Sequence, residues 1–122
     1  MEYLLDSVIL IDHFNNIPQA STFLQDNKKS SAISVITRAE VLTGFSPEHR
    51  QLAAKFLDYF VTLNVDKEIA DLTADLRYQY CWKLPDALQA ALAQHHQLKL
   101  VTRNTKDFPL NKYDFVITPY QL

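Results

Sequence analysis

Short apolar runs of three to five residues are set between longer stretches of helical periodicity, and this alternation narrows the fold more than any other feature of the chain. Five runs read as strands: Tyr3 to Leu5, Ala32 to Val35, Val61 to Val65, Leu98 to Thr102 and Phe115 to Ile117. Residues 67–81 place Ile69, Leu72, Thr73, Leu76 and Tyr80 on one helical stripe, with Lys67, Glu68, Asp71, Asp75 and Arg77 largely elsewhere. Residues 48–60 repeat the pattern through Ala53, Phe56, Leu57 and Phe60. Pro18 and Pro85 suit first helical turns, because proline lacks only an N–H that has no helical partner there. Phe23 and Leu24 follow the first; Ala87, Leu88, Ala91 and Leu92 follow the second on one face. The order β-α-α-β-α-α-β-α-α-β-β predicts an α/β three-layer sandwich, a mostly parallel central sheet with helices on both faces. The 122 residues suffice for one such domain, spanning 1–122, and not for two.

Composition removes several function classes. Gly44 is the only glycine, which excludes a P-loop and a dinucleotide fingerprint, since both need several glycines for close backbone approach to phosphate. The net charge of −2 is wrong for a protein that lives on non-specific DNA contacts. Any nucleic-acid contact must be local, or helped by a metal or a second subunit. Cys81 is the single cysteine, so no disulfide forms within the chain and a reducing compartment is expected. Beside Trp82 it reads as buried packing rather than as a nucleophile. The opening MEYLLDSVILIDHF is interrupted by Asp6 and Asp12 and carries no basic leader, so it reads as buried core, not as a signal or membrane span. The expected location is the cytoplasm. His13, His49, His95 and His96 share no helical face with zinc-ligand spacing.

In parallel α/β folds, ligands bind beyond the carboxyl ends of the strands. That rule selects residues. Asp6 ends the first strand, Glu40 lies in the helix after the second, and Asn104 and Asp107 follow the fourth. Asp86 occupies the first turn of the helix that leads into the fourth strand, so it starts on the same edge. Carboxylates within roughly 4–6 Å of one another raise each other's pKa unless a cation intervenes. A hard divalent ion with oxygen ligands is one such cation, and it suits phosphodiester cleavage. Each acid also has a structural reading: Asp6 as a helix cap, Asp86 as a first-turn dipole partner, Asp107 as a turn residue, Glu40 as a solvated helix residue. Glu40 neighbours Ala39 and Thr43, which are expected to face inward.

Four blocks, in order, resemble the PIN-domain ribonucleases, and among them the VapC-type toxins of bacterial toxin–antitoxin pairs. They are Leu4-Leu5-Asp6-Ser7-Val8-Ile9-Leu10-Ile11-Asp12, then Ser34-Val35-Ile36-Thr37-Arg38-Ala39-Glu40-Val41-Leu42-Thr43-Gly44, then Lys83-Leu84-Pro85-Asp86-Ala87-Leu88-Gln89-Ala90-Ala91, then Leu100-Val101-Thr102-Arg103-Asn104-Thr105-Lys106-Asp107-Phe108. The resemblance spans essentially the whole chain. It implies a metal-dependent endoribonuclease using Mg²⁺ or Mn²⁺, an RNA substrate, a homodimer and a cognate antitoxin. Two positions depart from the family pattern: Val8 stands where a polar residue is usual, and Asn104 where an aspartate is frequent.

On this reading Asp6 and Asp86 hold the principal metal, and Glu40 orients or deprotonates the attacking water. Asp107 and Asn104 contest the fourth ligand place or a second, weaker site. Ser7 or Thr102 hydrogen-bonds a carboxylate and fixes its rotamer. Arg38, Arg103 and Lys106 are candidates for RNA phosphates, or alternatively solvated charges and ion pairs with the acids. Tyr78, Tyr80 and Trp82 are expected in packing rather than in base stacking. Two other functions compete. One is a PIN-like module of weak catalysis that mainly binds an antitoxin; the other is a receiver-like domain that accepts phosphate on an aspartate.

Overall fold

The computed structural model describes residues 1–122. The elements run β1 (Tyr3–Leu5), α1 (Ser7–Phe14), α2 (Pro18–Asn27), a 3-10 turn (Lys28–Ser30), β2 (Ser31–Ser34), α3 (Val35–Thr43), α4 (Pro47–Leu57), β3 (Val61–Leu63), α5 (Lys67–Tyr80), α6 (Leu84–His95), β4 (Lys99–Val101) and β5 (Val116–Ile117). The sheet order is β3-β2-β1-β4-β5 and every pairing is parallel. The predicted sandwich is the observed one, with a fully parallel sheet.

Strand register explains the two cores. Leu4 pairs with Ala32 and Leu100, while Leu5 pairs with Val101. Successive strand residues point to opposite faces. Leu4, Ala32 and Leu100 therefore join one core with Ile69 and Leu76 of α5 and Ala90 and Leu92 of α6. Leu5, Ile33 and Val101 join the other with Ile9, Leu24, Val41 and Leu57, supplied by α1 to α4. Both faces are covered, which is why these strands read as continuous apolar runs. No helix is long and apolar enough to cross a membrane.

Several boundaries move for identifiable reasons. β2 stops at Ser34 because the Ser34 hydroxyl accepts from the Thr37 N–H and starts α3. α4 starts at Pro47 and α6 at Leu84, each with proline in its first turn. Cys81 is exposed, not buried: it ends α5 in the left-handed region at φ 60°, and Trp82 takes the buried place. On α3 the inward residues are Thr37 and Val41, whereas Ala39 and Thr43 face solvent.

The chain builds outward from β1 through β2 to β3, then returns to the other side of β1 for β4. The carboxyl ends of β1 and β4 thus flank the point where strand order reverses, the usual place for a ligand crevice.

Candidate active site

Asp6 leaves β1 and caps α1. Its Oδ1 accepts from the Ser7 N–H at 2.9 Å and from Gln89 Nε2 at 3.4 Å. Its Oδ2 accepts from the Thr102 hydroxyl at 2.7 Å. Thr102 is fully buried at the end of β4, and its hydroxyl oxygen also accepts from the Asn104 N–H at 3.0 Å. Capping and presentation to the crevice are therefore the same conformation of Asp6. Three donors fix its carboxylate, and none of them is a cation.

Asn104 opens the loop after β4 and links two other acids. Its Nδ2 donates to Asp107 Oδ2 at 3.1 Å and lies 3.4 Å from Asp86 Oδ1. Its Oδ1 accepts from the Asp107 N–H, three residues on, at 3.3 Å, which closes the turn. Asn104 thus presents its amide nitrogen, not its oxygen, to the carboxylates of Asp86 and Asp107. Trp82 holds the same loop from the far side, where its Nε1 donates to the Asp107 carbonyl at 3.2 Å.

The proton affinities report crowded negative charge. Asp86 is pushed up to about 6, first by burial, then by hydrogen bonding with Asp107 and by the charges of Asp6 and Asp107. Asp107 moves down: Asn104 and Asp86 hydrogen-bond to it, and Lys83 and Lys106 add favourable charge. Glu40 moves up through partial burial and the charge of Asp6, while the Ser7 hydroxyl beside it pulls the other way. Asp6 is the common neighbour of Glu40 and Asp86, and Asp86 in turn feels Asp107. Electrostatic contact thus runs from Glu40 through Asp6 to Asp86 and on to Asp107. No three of them close to the spacing of a tight ligand set.

The arginines next to these acids in sequence face elsewhere. Arg38 pairs with Asp58 at 2.8 Å on the surface. Arg103 forks onto Asp12, with Nε at 2.8 Å and the Nη2 group at 2.9 Å. Of the three basic residues expected at RNA phosphates, only Lys106 stands exposed beside the acids. Lys83, not anticipated from the sequence, lies near Asp107 with it. Gln89 was equally unanticipated; its signal is a lone polar residue inside the run Ala87 to Ala93.

Comparison with known proteins places the fold and the family. A family model described as PIN domain matches residues 3–115. Ribonuclease VapC10 of Mycobacterium tuberculosis is 31% identical over 114 residues, covering 88% of this chain and 86% of the relative. A toxin–antitoxin complex from Klebsiella pneumoniae contains a chain with TM-score 0.91 and 40% identity, over 99% of this chain and 100% of that one. DNA-bound VapBC from Salmonella typhimurium shares the fold at TM-score 0.76 and 22% identity, over 88% and 90% of the two chains. The chain belongs to the PIN-domain family, as a VapC-type member.

Proposed function

We propose that this chain is a divalent-metal-dependent endoribonuclease and the toxin of a toxin–antitoxin pair, acting in the cytoplasm with Mg²⁺, or with Mn²⁺ in its place. The observation that carries this reading is the succession of electrostatically coupled acids Glu40, Asp6, Asp86 and Asp107, with Arg38 and Arg103 paired elsewhere. All the donors are oxygen, the set a hard divalent ion prefers, and burial first, then the neighbouring Asp107 and Asp6, raise the proton affinity of Asp86. Asp6 and Asp86 would hold the ion, with Asp107 the fourth acid of the site. Bound, such an ion supplies positive charge at the scissile phosphate and at the attacking water.

The chain's own residues do the rest. Thr102, the Ser7 N–H and Gln89 keep Asp6 in one rotamer. Asn104 bridges Asp86 and Asp107 and holds two like charges at a fixed spacing. Glu40 is solvent-reachable and binds a proton more readily than an ordinary glutamate, which suits it to take one from the attacking water. Lys83 and Lys106 flank the acids and meet RNA phosphates, which gives this acidic chain a local basic margin.

The test is Mn²⁺ titration by calorimetry, then RNA cleavage with and without chelator. Binding that Asp6→Asn abolishes, with cleavage that needs the ion, supports the proposal. Undiminished cleavage by Asp6→Asn, or in chelator, overturns it. Asn104, with N–H groups where a carboxylate is frequent, favours a second reading, a weakly catalytic module that mainly binds an antitoxin. Metal binding without RNA cleavage selects that reading. By analogy with the toxin–antitoxin complex it resembles, the chain binds a cognate antitoxin; the homodimer is what the family resemblance implies, and light scattering of the chain alone and with the antitoxin checks both.

A further inference from the structure

Gln89 sits one turn beyond Asp86 on α6 and is 2% exposed. Around it α6 buries Ala87, Ala90, Ala91, Leu92 and Ala93, so an apolar residue would suit the position by packing alone. Its Nε2 donates to Thr37 Oγ1 at 2.6 Å and to Asp6 Oδ1 at 3.4 Å. Thr37 is fully buried one turn before Glu40 on α3, where the Ser34 hydroxyl also donates to it at 3.3 Å. The Oε1 of Gln89 is buried and has no partner. The opposite amide orientation would set that oxygen against the Asp6 carboxylate, so charge selects the orientation seen. A buried orphan acceptor is costly and calls for a compensating role.

We infer that Gln89 is a positioning residue for cation binding: its amide braces Asp6 against Thr37 and fixes the spacing of Asp6, Glu40 and Asp86. It is the one side chain bonded to both of the other acid-bearing elements, β1's end and α3, from the helix that carries Asp86. The inference rests on the proposed metal site and adds a residue that does not itself touch the ion. Removing such an indirect support weakens metal binding by about 10–100-fold in other sites.

The experiment uses the full chain with Gln89→Leu, which keeps size and removes the amide. Calorimetry with Mn²⁺ is expected to show Kd weaker by about tenfold or more. Thermal stability in chelator is expected to hold or rise, since the orphan acceptor has gone. RNA cleavage falls at low Mn²⁺ and recovers at high Mn²⁺, with KM for RNA unchanged. Thr37→Val keeps the backbone N–H that Ser34 caps and is expected to act in the same direction; the double variant is no worse than Gln89→Leu alone. If Gln89→Leu does not fold, Thr37→Val decides by the same readout. Variant Kd within about twofold of wild type, beside a wild type that binds, overturns the inference and leaves the metal site standing. A wild type that binds no Mn²⁺ overturns both.

Discussion

Asp6 and Asp12 bracket the same short helix, and the fold treats them in opposite ways. Asp12 is 5% exposed and fully compensated: Arg103 forks onto both its oxygens, and the Tyr120 hydroxyl donates to Oδ2 at 2.8 Å. Its carboxyl is accordingly held below the usual range, chiefly by the Arg103 hydrogen bond. Asp6 receives only neutral donors and shares its surroundings with Glu40 and Asp86, both pushed upward. The loop after β4 serves both ends with consecutive residues, Arg103 for Asp12 and Asn104 for Asp86 and Asp107. One acid is spent on structure. Asp6, Glu40 and Asp86 have no cation bonded to them.

The contrast predicts where substitutions hurt. Asp6→Asn and Asp86→Asn are expected to reduce metal-dependent RNA cleavage by at least about a hundredfold, measured by single-turnover kinetics, because ion-supplied charge stabilisation is worth several kcal/mol. The expected stability change is small, since Asp6 keeps its cap, and at Asp86 relief of burial and repulsion outweighs the weakened Asn104 hydrogen bond. Arg103→Met should do the reverse first: it strands the Asp12 carboxylate and costs about 2–4 kcal/mol in urea unfolding, at the lower end because Arg103 is partly exposed. If Arg103→Met is as stable as wild type, the comparison fails at its structural half.

The pH dependence separates the regions by sign. Asp12 has a folded pKa below its unfolded value, so its contribution is present above about pH 4 and lost as pH falls through the depressed value. Asp86 has a folded pKa raised from 3.8 to about 6, so in the metal-free protein stability declines as pH rises across that interval. Asp86→Asn in chelator is therefore expected to gain on the order of 1 kcal/mol at pH 7, solvent screening allowed for, and nothing at pH 4. Denaturation at the two pH values checks this, and equal effects at both would remove the electrostatic account. Tyr120→Phe removes one hydrogen bond to the charged Asp12 and is expected to cost about 1.5 kcal/mol, with the smallest effect of all on RNA cleavage, none.

Elements were legible where packing repeats. The alternation Leu4–Leu5 and Leu100–Val101 announces a sheet buried on both faces, and the stripe of Ile69, Thr73 and Leu76 announces α5. The edge position of Asp6, Asp86 and Asp107 followed from strand order alone. What stayed hidden depends on pairings distant in sequence. Arg103 stands beside the site acids in the chain, yet its partner lies 91 positions away at Asp12. Gln89 reads as an anomaly until Thr37 and Asp6 come into view. The inward face of α3 differs from the predicted one: Ala39 and Thr43 are exposed, and Thr37 is buried with the polar bonds it makes to Ser34 and Gln89. Cys81 was misplaced because a left-handed helix end, unusual for cysteine, turns it outward.

The Thr102 hydroxyl reaches Asp6 across 96 positions, so the first and fourth acids of the site come together only when β4 inserts beside β1. During synthesis the segment through α4 exists for some time without its last central strand. At about 5–20 residues per second, the ribosome finishes β4 seconds after Asp6 has emerged. A nascent or truncated chain ending before β4 carries Asp6, Glu40 and Asp86 but not the hydroxyl or the loop that set them. The observed setting of these acids is therefore a late event in the life of the chain, one that waits for β4 and the loop behind it to be made.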